Sequence, residues 1–130
     1  MYRALIVLGA VALHAVPAHA HHSFAMFDAD RTVTLKGTVK EFRWNNPHVF
    51  IELRVPATAG EEEWSIEMAS PLHLMRNGWK PGSLRSGDKV VIVVHPMRDG
   101  SHGGNYVSAT AADGSPVGGP GSKQGAGSGA

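Results

Sequence analysis

The sequence predicts a mainly β domain: a small, five-stranded, OB-like and partly open barrel with one short helix between strands 3 and 4. Several short segments alternate apolar and polar residues, as half-buried strands do. Glycine- and proline-rich turns separate these segments, and one helix-start signal stands after the third. Three strands, a helix and two more strands is the order of the oligonucleotide/oligosaccharide-binding architecture. An open five-stranded sheet packed by one helix has the same order and remains an alternative.

The first predicted strand runs from Thr32 to Trp44. Val33, Leu35, Gly37 and Val39 share one of its faces, and polar residues occupy the other. A glycine inside a strand is typical of a bulge or a tight bend. The strand is therefore expected to bend at Gly37, as small barrels require.

The second and third strands are predicted at His48–Val55 and Trp64–Met68, with a loop at Pro56–Glu62 between them. The second strand follows an Asn45–Pro47 turn, because asparagine tolerates unusual dihedrals and proline fixes its own. Both segments alternate with a period of two, so each is expected to bury one face.

A short helix is predicted to begin at Ser70-Pro71 and to end at Gly78. Serine is a good N-cap, proline is favoured at the first helical position, and glycine commonly ends a helix. The expected apolar face of the helix consists of Leu72, Leu74 and Met75.

The fourth strand is predicted at Lys89–Pro96, and its almost continuous apolar run suggests burial on both faces. A glycine-rich turn at Arg98–Gly104 leads into a weaker fifth strand at Asn105–Ala112. Residues 114–130 are mostly Gly, Ser, Pro and Ala, a composition typical of a disordered tail.

The first twenty residues have the features of a signal peptide. Arg3 is followed by a short apolar run, the breaker Pro17 and the small residues Ala18 and Ala20 around the predicted cleavage site. The apolar run is shorter than the roughly 20 residues that span a bilayer. Cleavage after Ala20 predicts a periplasmic or secreted protein without a stable membrane anchor, with an OB-like β domain at residues 21–113.

Composition excludes several classes of function. Cleavage removes one of the 12 basic side chains, Arg3, and none of the 11 acidic ones, so the mature chain is neutral. Nucleic-acid binders carry a basic stripe, which is absent here, so no nucleic-acid partner is expected. The chain has no cysteine, and therefore no disulfide, thiolate ligand or thiol nucleophile. No catalytic constellation stands out, and we do not expect an enzyme.

The predicted mature chain begins with two histidines, His21 and His22. A free α-amino group and an imidazole on one residue can chelate a metal ion, and nitrogen-rich ligand sets suit copper(II) especially. A metal site with a function needs a further ligand from the folded domain, and His48 is the best candidate. The sequence therefore predicts a copper-type site formed by His21 and His48. His22 either assists this site or, as the second residue, offers an alternative chelate through the intervening amide.

Glu67 is the weaker member of this predicted site. If the second and third strands pair as a hairpin, His48 and Glu67 lie on one outer face near its open end. The carboxylate then either completes the metal site or fixes the imidazole by a hydrogen bond. Nothing in the sequence selects the remaining candidates: His73, His95, His102 and the isolated Met26 and Met97.

A binding module without a metal is the alternative function. Such a barrel would bind a protein, peptide or glycan through Trp44, Phe50 and the adjacent loops. Stacking on single-stranded nucleic acid requires several aromatic side chains and a positive groove. Phe50 stands instead on a strand face with acids.

Several motifs together resemble one family of small exported bacterial proteins, catalogued as domain of unknown function 6152. They cover nearly the whole predicted mature domain, from His21 to Gly114. The motifs are HHSFAMFD from His21, LxGTV from Leu35, FxWxNPH from Phe42, SP at Ser70, GW at Gly78, GDxV at Gly87 and RDG at Arg98.

The resemblance implies export and a small β-rich domain, and it brings no activity, substrate or partner. The family pattern includes the His-His start and the Asn-Pro-His turn, which correspond here to His21-His22 and Asn46–His48. It commonly has Pro-Asn after the third strand, where this chain has Pro71-Leu72. That departure affects the start of the helix and not the histidines.

Overall fold

The computed structural model describes residues 24–119. The predicted signal peptide, His21, His22 and residues 120–130 lie outside that range. Within it, no helix is long and apolar enough to cross a membrane. The elements are a 3-10 turn at Phe24–Met26, strands β1 (Val33–Arg43), β2 (Phe50–Ala57) and β3 (Gly60–Glu67), helix α1 (Pro71–Arg76), and strands β4 (Lys89–Pro96) and β5 (Gly103–Ala111).

The five strands form one closed barrel in the order β1-β2-β3-β5-β4. β3 and β5 run parallel, with Ser65, Ile66 and Glu67 opposite the first residues of β5, and the other pairs are antiparallel. The predicted five-stranded barrel with a helix between strands 3 and 4 is confirmed. The barrel is closed rather than partly open, because the β3–β5 pairing joins the two sheet edges.

β1 pairs with a different strand in each half of its length. Residues Val33–Thr38 pair with β4, and residues Thr38–Arg43 pair with β2 across an irregularity between Val39 and Glu41. Gly37 stands where the partner changes, and a Cβ placed on it would lie 2.4 Å from the Arg54 carbonyl oxygen. The irregularity expected at Gly37 therefore lies further along β1, between Val39 and Glu41, whereas Gly37 itself allows the close approach of the Arg54 carbonyl.

The barrel interior is filled by one alternate set of side chains from each strand. Val90, Ile92 and Val94 of β4 are buried, whereas Val91 and Val93 are half-buried. The prediction that β4 is buried on both faces is therefore wrong, because a closed barrel presents only one face of each strand to its core. The fully buried residues of the core are Val39, Val49, Ile51, Leu53, Ile66, Ile92 and Val94.

The predicted loop at Pro56–Glu62 is also wrong. β2 and β3 continue to a tight hairpin in which Ala57 pairs with Gly60. Charge and proline suggested a loop, but this end of the hairpin projects into solvent, where acidic side chains need no burial. Lys40 Nζ of β1 donates to Glu63 of β3 at 2.8 Å, across the intervening strand β2.

α1 begins as predicted, with Ser70 Oγ accepting a hydrogen bond from the His73 amide at 3.3 Å. Its buried residues are Pro71 and Leu74, three positions apart, whereas Leu72 and Met75 are each 58% exposed. The predicted apolar face is wrong for those two residues, because a six-residue helix presents only one narrow stripe to the barrel.

The chain continues to pack beyond residue 113, the predicted end of the domain. Val117 packs against the core, and its amide donates to the Ala109 carbonyl at 3.4 Å. Gly118 lies flat on Trp79, since a Cβ there would be 2.0 Å from Cε2 of the indole. Residues 114–119 thus belong to the folded unit rather than to a disordered tail.

We expect Gly37→Ala to destabilise the barrel. The added methyl group would overlap the Arg54 carbonyl oxygen and contact Leu53 Cγ at 3.0 Å, and overpacking of this kind costs about 1–3 kcal/mol. Urea denaturation measures the free energy of unfolding.

Gly82→Ala is the matched control, because a Cβ on Gly82 meets nothing within 4 Å. Its free energy of unfolding should lie within about 1 kcal/mol of the parent protein. Equal stability of the two variants would contradict the close approach at Gly37.

Candidate functional site

His48 and Glu67 meet on the outer face of the β2–β3 hairpin, at its open end. Pairing extends past the ends of both strands, since the Val49 amide donates to the Ala69 carbonyl and the Met68 amide donates to the Val49 carbonyl. His48 Nδ1 lies 3.5 Å from Glu67 Oε1. The proximity expected from the alternation of the two strands is present.

The orientation of the His48 ring is set by the backbone. Its Nδ1 lies 2.8 Å from the Met68 carbonyl oxygen. A carbonyl oxygen only accepts, so the hydrogen-bonded Nδ1 carries the proton, and the lone pair of the neutral ring is on Nε2. Nδ1 has two neighbours, the Met68 carbonyl and the Glu67 carboxylate, and both favour this tautomer.

His48 lines a cavity of about 550 Å³ between the hairpin, α1 and β5, called here the His48 cavity. Phe24, the first residue that the structure describes, lines it too and is 66% exposed. His73 of α1 is on another wall, so the cavity brings two imidazoles into one space. Sequence reasoning undervalued His73, which stands three residues after the helix N-cap and lines this cavity from α1.

Trp79 and Tyr106 form the aromatic wall of the His48 cavity. Their rings meet edge to face with centroids 5.6 Å apart, and Trp79 also packs against Phe42 at 6.0 Å. Burial raises the pKa of the Tyr106 hydroxyl above its ordinary 10.0, and a backbone hydrogen bond with Ala109 acts in the opposite direction. The neutral phenol is therefore the form that this wall favours.

The residues that the structure describes contain no group of three or more His, Asp or Glu side chains arranged to hold a metal ion. His48 and Glu67 are together, His73 shares the cavity, and His21 and His22 lie outside residues 24–119. His95 is directed elsewhere, with its Nδ1 2.7 Å from the Arg31 carbonyl oxygen. A metal site of three or more protein ligands that uses His48 therefore requires donors other than the His, Asp and Glu side chains of residues 24–119.

The aromatic residues of the alternative binding surface are both engaged within the fold. Trp44 packs against the core and meets Phe42 edge to face at 5.6 Å. The Arg43 guanidinium covers the Phe50 ring at 4.8 Å and forms an ion pair with Glu52. Trp44 and Phe50 therefore offer less open aromatic surface than the sequence suggests.

A smaller cavity of about 260 Å³ lies on the other side of Glu67 and is called here the Met cavity. Met26, Met97 and His102 line it together with Glu67 and Phe50. The sequence separates the two methionines by seventy residues, so no spacing signal could have joined them. Their meeting depends on the pairing of Phe27 with Met97.

We expect the raised pKa of Tyr106 to make stability fall with pH in alkaline solution. The folded state keeps its proton above pH 10, where the unfolded chain loses it. The contribution of the protonated Tyr106 hydroxyl to folding stability is thus complete below about pH 10. It is lost as the pH rises through the raised pKa. Free energies of unfolding at about pH 9 and about pH 11 measure the loss.

Tyr106→Phe is the control, since phenylalanine keeps the edge-to-face contact and has no proton to lose. The variant should lose less stability than the parent between these two pH values. Equal losses would contradict the assignment to Tyr106.

A comparison with protein families finds a match over residues 10–106, to the family described as "Family of unknown function (DUF6152)". No curated protein and no solved structure matches the chain. The match spans well over half of the chain, including β1 to β4 and the start of β5. The chain therefore belongs to the DUF6152 family.

Proposed function

We propose that this protein is an exported metal-binding protein, of the copper type, whose site joins the amino terminus at His21 to His48. The α-amino group and imidazole of His21 chelate the ion, His48 supplies a ligand from the barrel, and His22 assists. The protein binds or delivers the ion and does not transform a substrate. This role needs signal cleavage after Ala20, which is part of the proposal.

One observation carries the proposal: Phe24 and His48 line the same cavity. Two residues, His22 and Ser23, stand between His21 and Phe24, and the three Cα–Cα steps that join them reach at most about 11 Å. A chain that begins at His21 therefore keeps its first residue within that length of Phe24, which lines the cavity with His48. Had Phe24 been at the opposite end of the barrel, no chelate could have included both histidines.

The fixed tautomer of His48 supports its role as a ligand. Metal-ligating histidines usually donate their other ring N–H to a carbonyl or a carboxylate, which orients the ring and raises its basicity. His48 Nδ1 has both kinds of neighbour, the Met68 carbonyl at 2.8 Å and Glu67 at 3.5 Å. Nε2 is then the ligand atom, and Glu67 acts by orienting the imidazole rather than by touching the ion.

The donor set favours copper(II) over other divalent ions. An amino group and imidazoles form a nitrogen-rich set, and affinity for such a set is highest for copper(II) among the divalent first-row metals. His73 adds a second imidazole on the cavity wall. Thiolates, which would favour zinc or copper(I), are absent from the chain.

We expect copper(II) to bind tightly to a chain that begins at His21 and weakly to the same chain acetylated at its α-amino group. Acetylation removes the basic amino nitrogen that closes a six-membered chelate with the His21 imidazole, and it creates no new amino-terminal chelate. Competition titration measures the affinity, electron paramagnetic resonance counts the nitrogen donors, and intact mass verifies each N-terminus.

Equal affinity of the two chains would overturn the amino-terminal chelate. The remaining premise is cleavage of the signal peptide after Ala20. Mass determination of the mature protein, exported with its own signal peptide, tests it. A mature chain beginning anywhere other than His21 would contradict it.

We expect His48→Ala to weaken copper(II) binding by about 10-fold or more, since even the loss of an outer partner of a metal ligand costs 10–100-fold. His95→Ala is the matched control, because His95 lines neither cavity. Unchanged affinity in His48→Ala would reduce the site to a bare amino-terminal chelate without the barrel.

A further inference from the structure

We infer that the Met cavity is a second metal site, for a soft monovalent ion such as copper(I) or silver(I), with Met26, Met97 and His102 as its ligands. The three side chains line one cavity of about 260 Å³. This site shares no proposed ligand with the His48 site and stands on separate observations.

The position of Met97 is defined by contact with the β5 strand. Its amide donates to the Gly103 carbonyl at 3.0 Å. A Cβ on Gly103 would lie 3.0 Å from Met97 Cγ and 3.7 Å from its Sδ. The thioether thus lies over Gly103 of the cavity wall, in space that a larger side chain at position 103 would occupy.

Met26 is held next to Met97 by backbone pairing. Phe27 forms an antiparallel bridge with Met97, and the Arg98 amide donates to the Met26 carbonyl at 2.9 Å. Phe27 is buried, which anchors this segment to the barrel, whereas Met26 is 42% exposed. The second thioether therefore stands at the open side of the cavity, where an ion can enter.

His102 is oriented by two neighbours on β3. Its ring stacks on Trp64 with centroids 5.1 Å apart and an interplanar angle of 18°. Its Nε2 lies 3.5 Å from Glu62 Oε2, an oxygen that also accepts from the Trp64 indole at 3.2 Å. A carboxylate at one ring nitrogen is the usual outer partner of a metal-binding histidine, and it leaves Nδ1 as the ligand atom.

The turn that carries Met97 and His102 is held by its own hydrogen bonds. Asp99 Oδ1 accepts from the Ser101 hydroxyl at 2.6 Å and from the Ser101 amide at 2.9 Å. Gly100 takes a positive φ of 80° within the same turn. The glycine-rich turn predicted from the sequence is present, and these bonds define its path from Met97 to His102.

The chemistry of the donors selects the ion. Thioether sulfur is a soft ligand, which favours copper(I) over hard cations such as magnesium or calcium. Phe27 and Phe50 supply the apolar remainder of the wall, and the carboxylates of Glu62 and Glu67 place negative charge beside a cation. The nearby Arg98 is directed to Asp28, 3.8 Å away, and to the Ala25 carbonyl.

Silver(I) is the probe, because it is soft, monovalent and stable to oxidation. The mature chain, beginning at His21, is titrated with silver(I) in chloride-free buffer, and the methionine methyl groups are followed by NMR. The methyl signals of Met26 and Met97 should shift, whereas those of Met68 and Met75 should not. Met68 is buried in the core, and Met75 is exposed on α1.

The variant Met26→Leu/Met97→Leu should lower the silver(I) affinity by about 10-fold or more, a loss typical of a disrupted metal site. Leucine conserves side-chain volume, so the fold is retained, and the thermal unfolding midpoint verifies it. Met75→Leu is the matched control and should bind silver(I) like the parent.

Two results would overturn the inference: parental silver(I) affinity in the double leucine variant, or unchanged methyl signals of Met26 and Met97 at saturation. The chain acetylated at the α-amino group of His21 separates this site from the proposed copper(II) site. It should lose copper(II) affinity and keep the silver(I) response at Met26 and Met97.

Discussion

The fold depends on one strand pairing with two different partners. β1 gives its first half to β4 and its second half to β2, and β1 thereby joins the two ends of the strand order in the closed barrel. Thr38 pairs with both partners, and at the neighbouring Gly37 the Arg54 carbonyl approaches where a side chain would stand. The alternate faces of all five strands then meet in one core.

Closure also determines where chemistry-bearing side chains can gather. The core is entirely apolar among the residues described, so the polar groups lie on the outer face and at the ends of the strands. Glu67 is the last residue of β3, touches His48 of the larger cavity and lines the smaller one. The two cavities are thus neighbours separated by one carboxylate, at the point where β3 pairs with β5.

Some residues of the candidate site can be predicted from local sequence patterns, and others cannot. His48 and Glu67 follow from strand alternation once β2 and β3 are taken as a hairpin, because residues on one face of paired strands are neighbours. The position of His73 in the same cavity as His48 depends on how α1 docks against the hairpin. The meeting of Met26, Met97 and His102 depends on contacts between segments far apart in sequence. The periodicity of a single segment cannot predict such contacts.

The sequence by itself determined the number and order of the strands, the helix cap at Ser70 and the inward faces of β1, β2 and β3. These features follow from short-range patterns of burial, turn chemistry and hydrogen bonding, which each segment carries within itself. Tertiary structure alone decided that the barrel closes through β3 and β5, that β4 buries one face, and that Gly118 covers Trp79. Those outcomes depend on how separate segments fill one common volume, and no single segment contains that information.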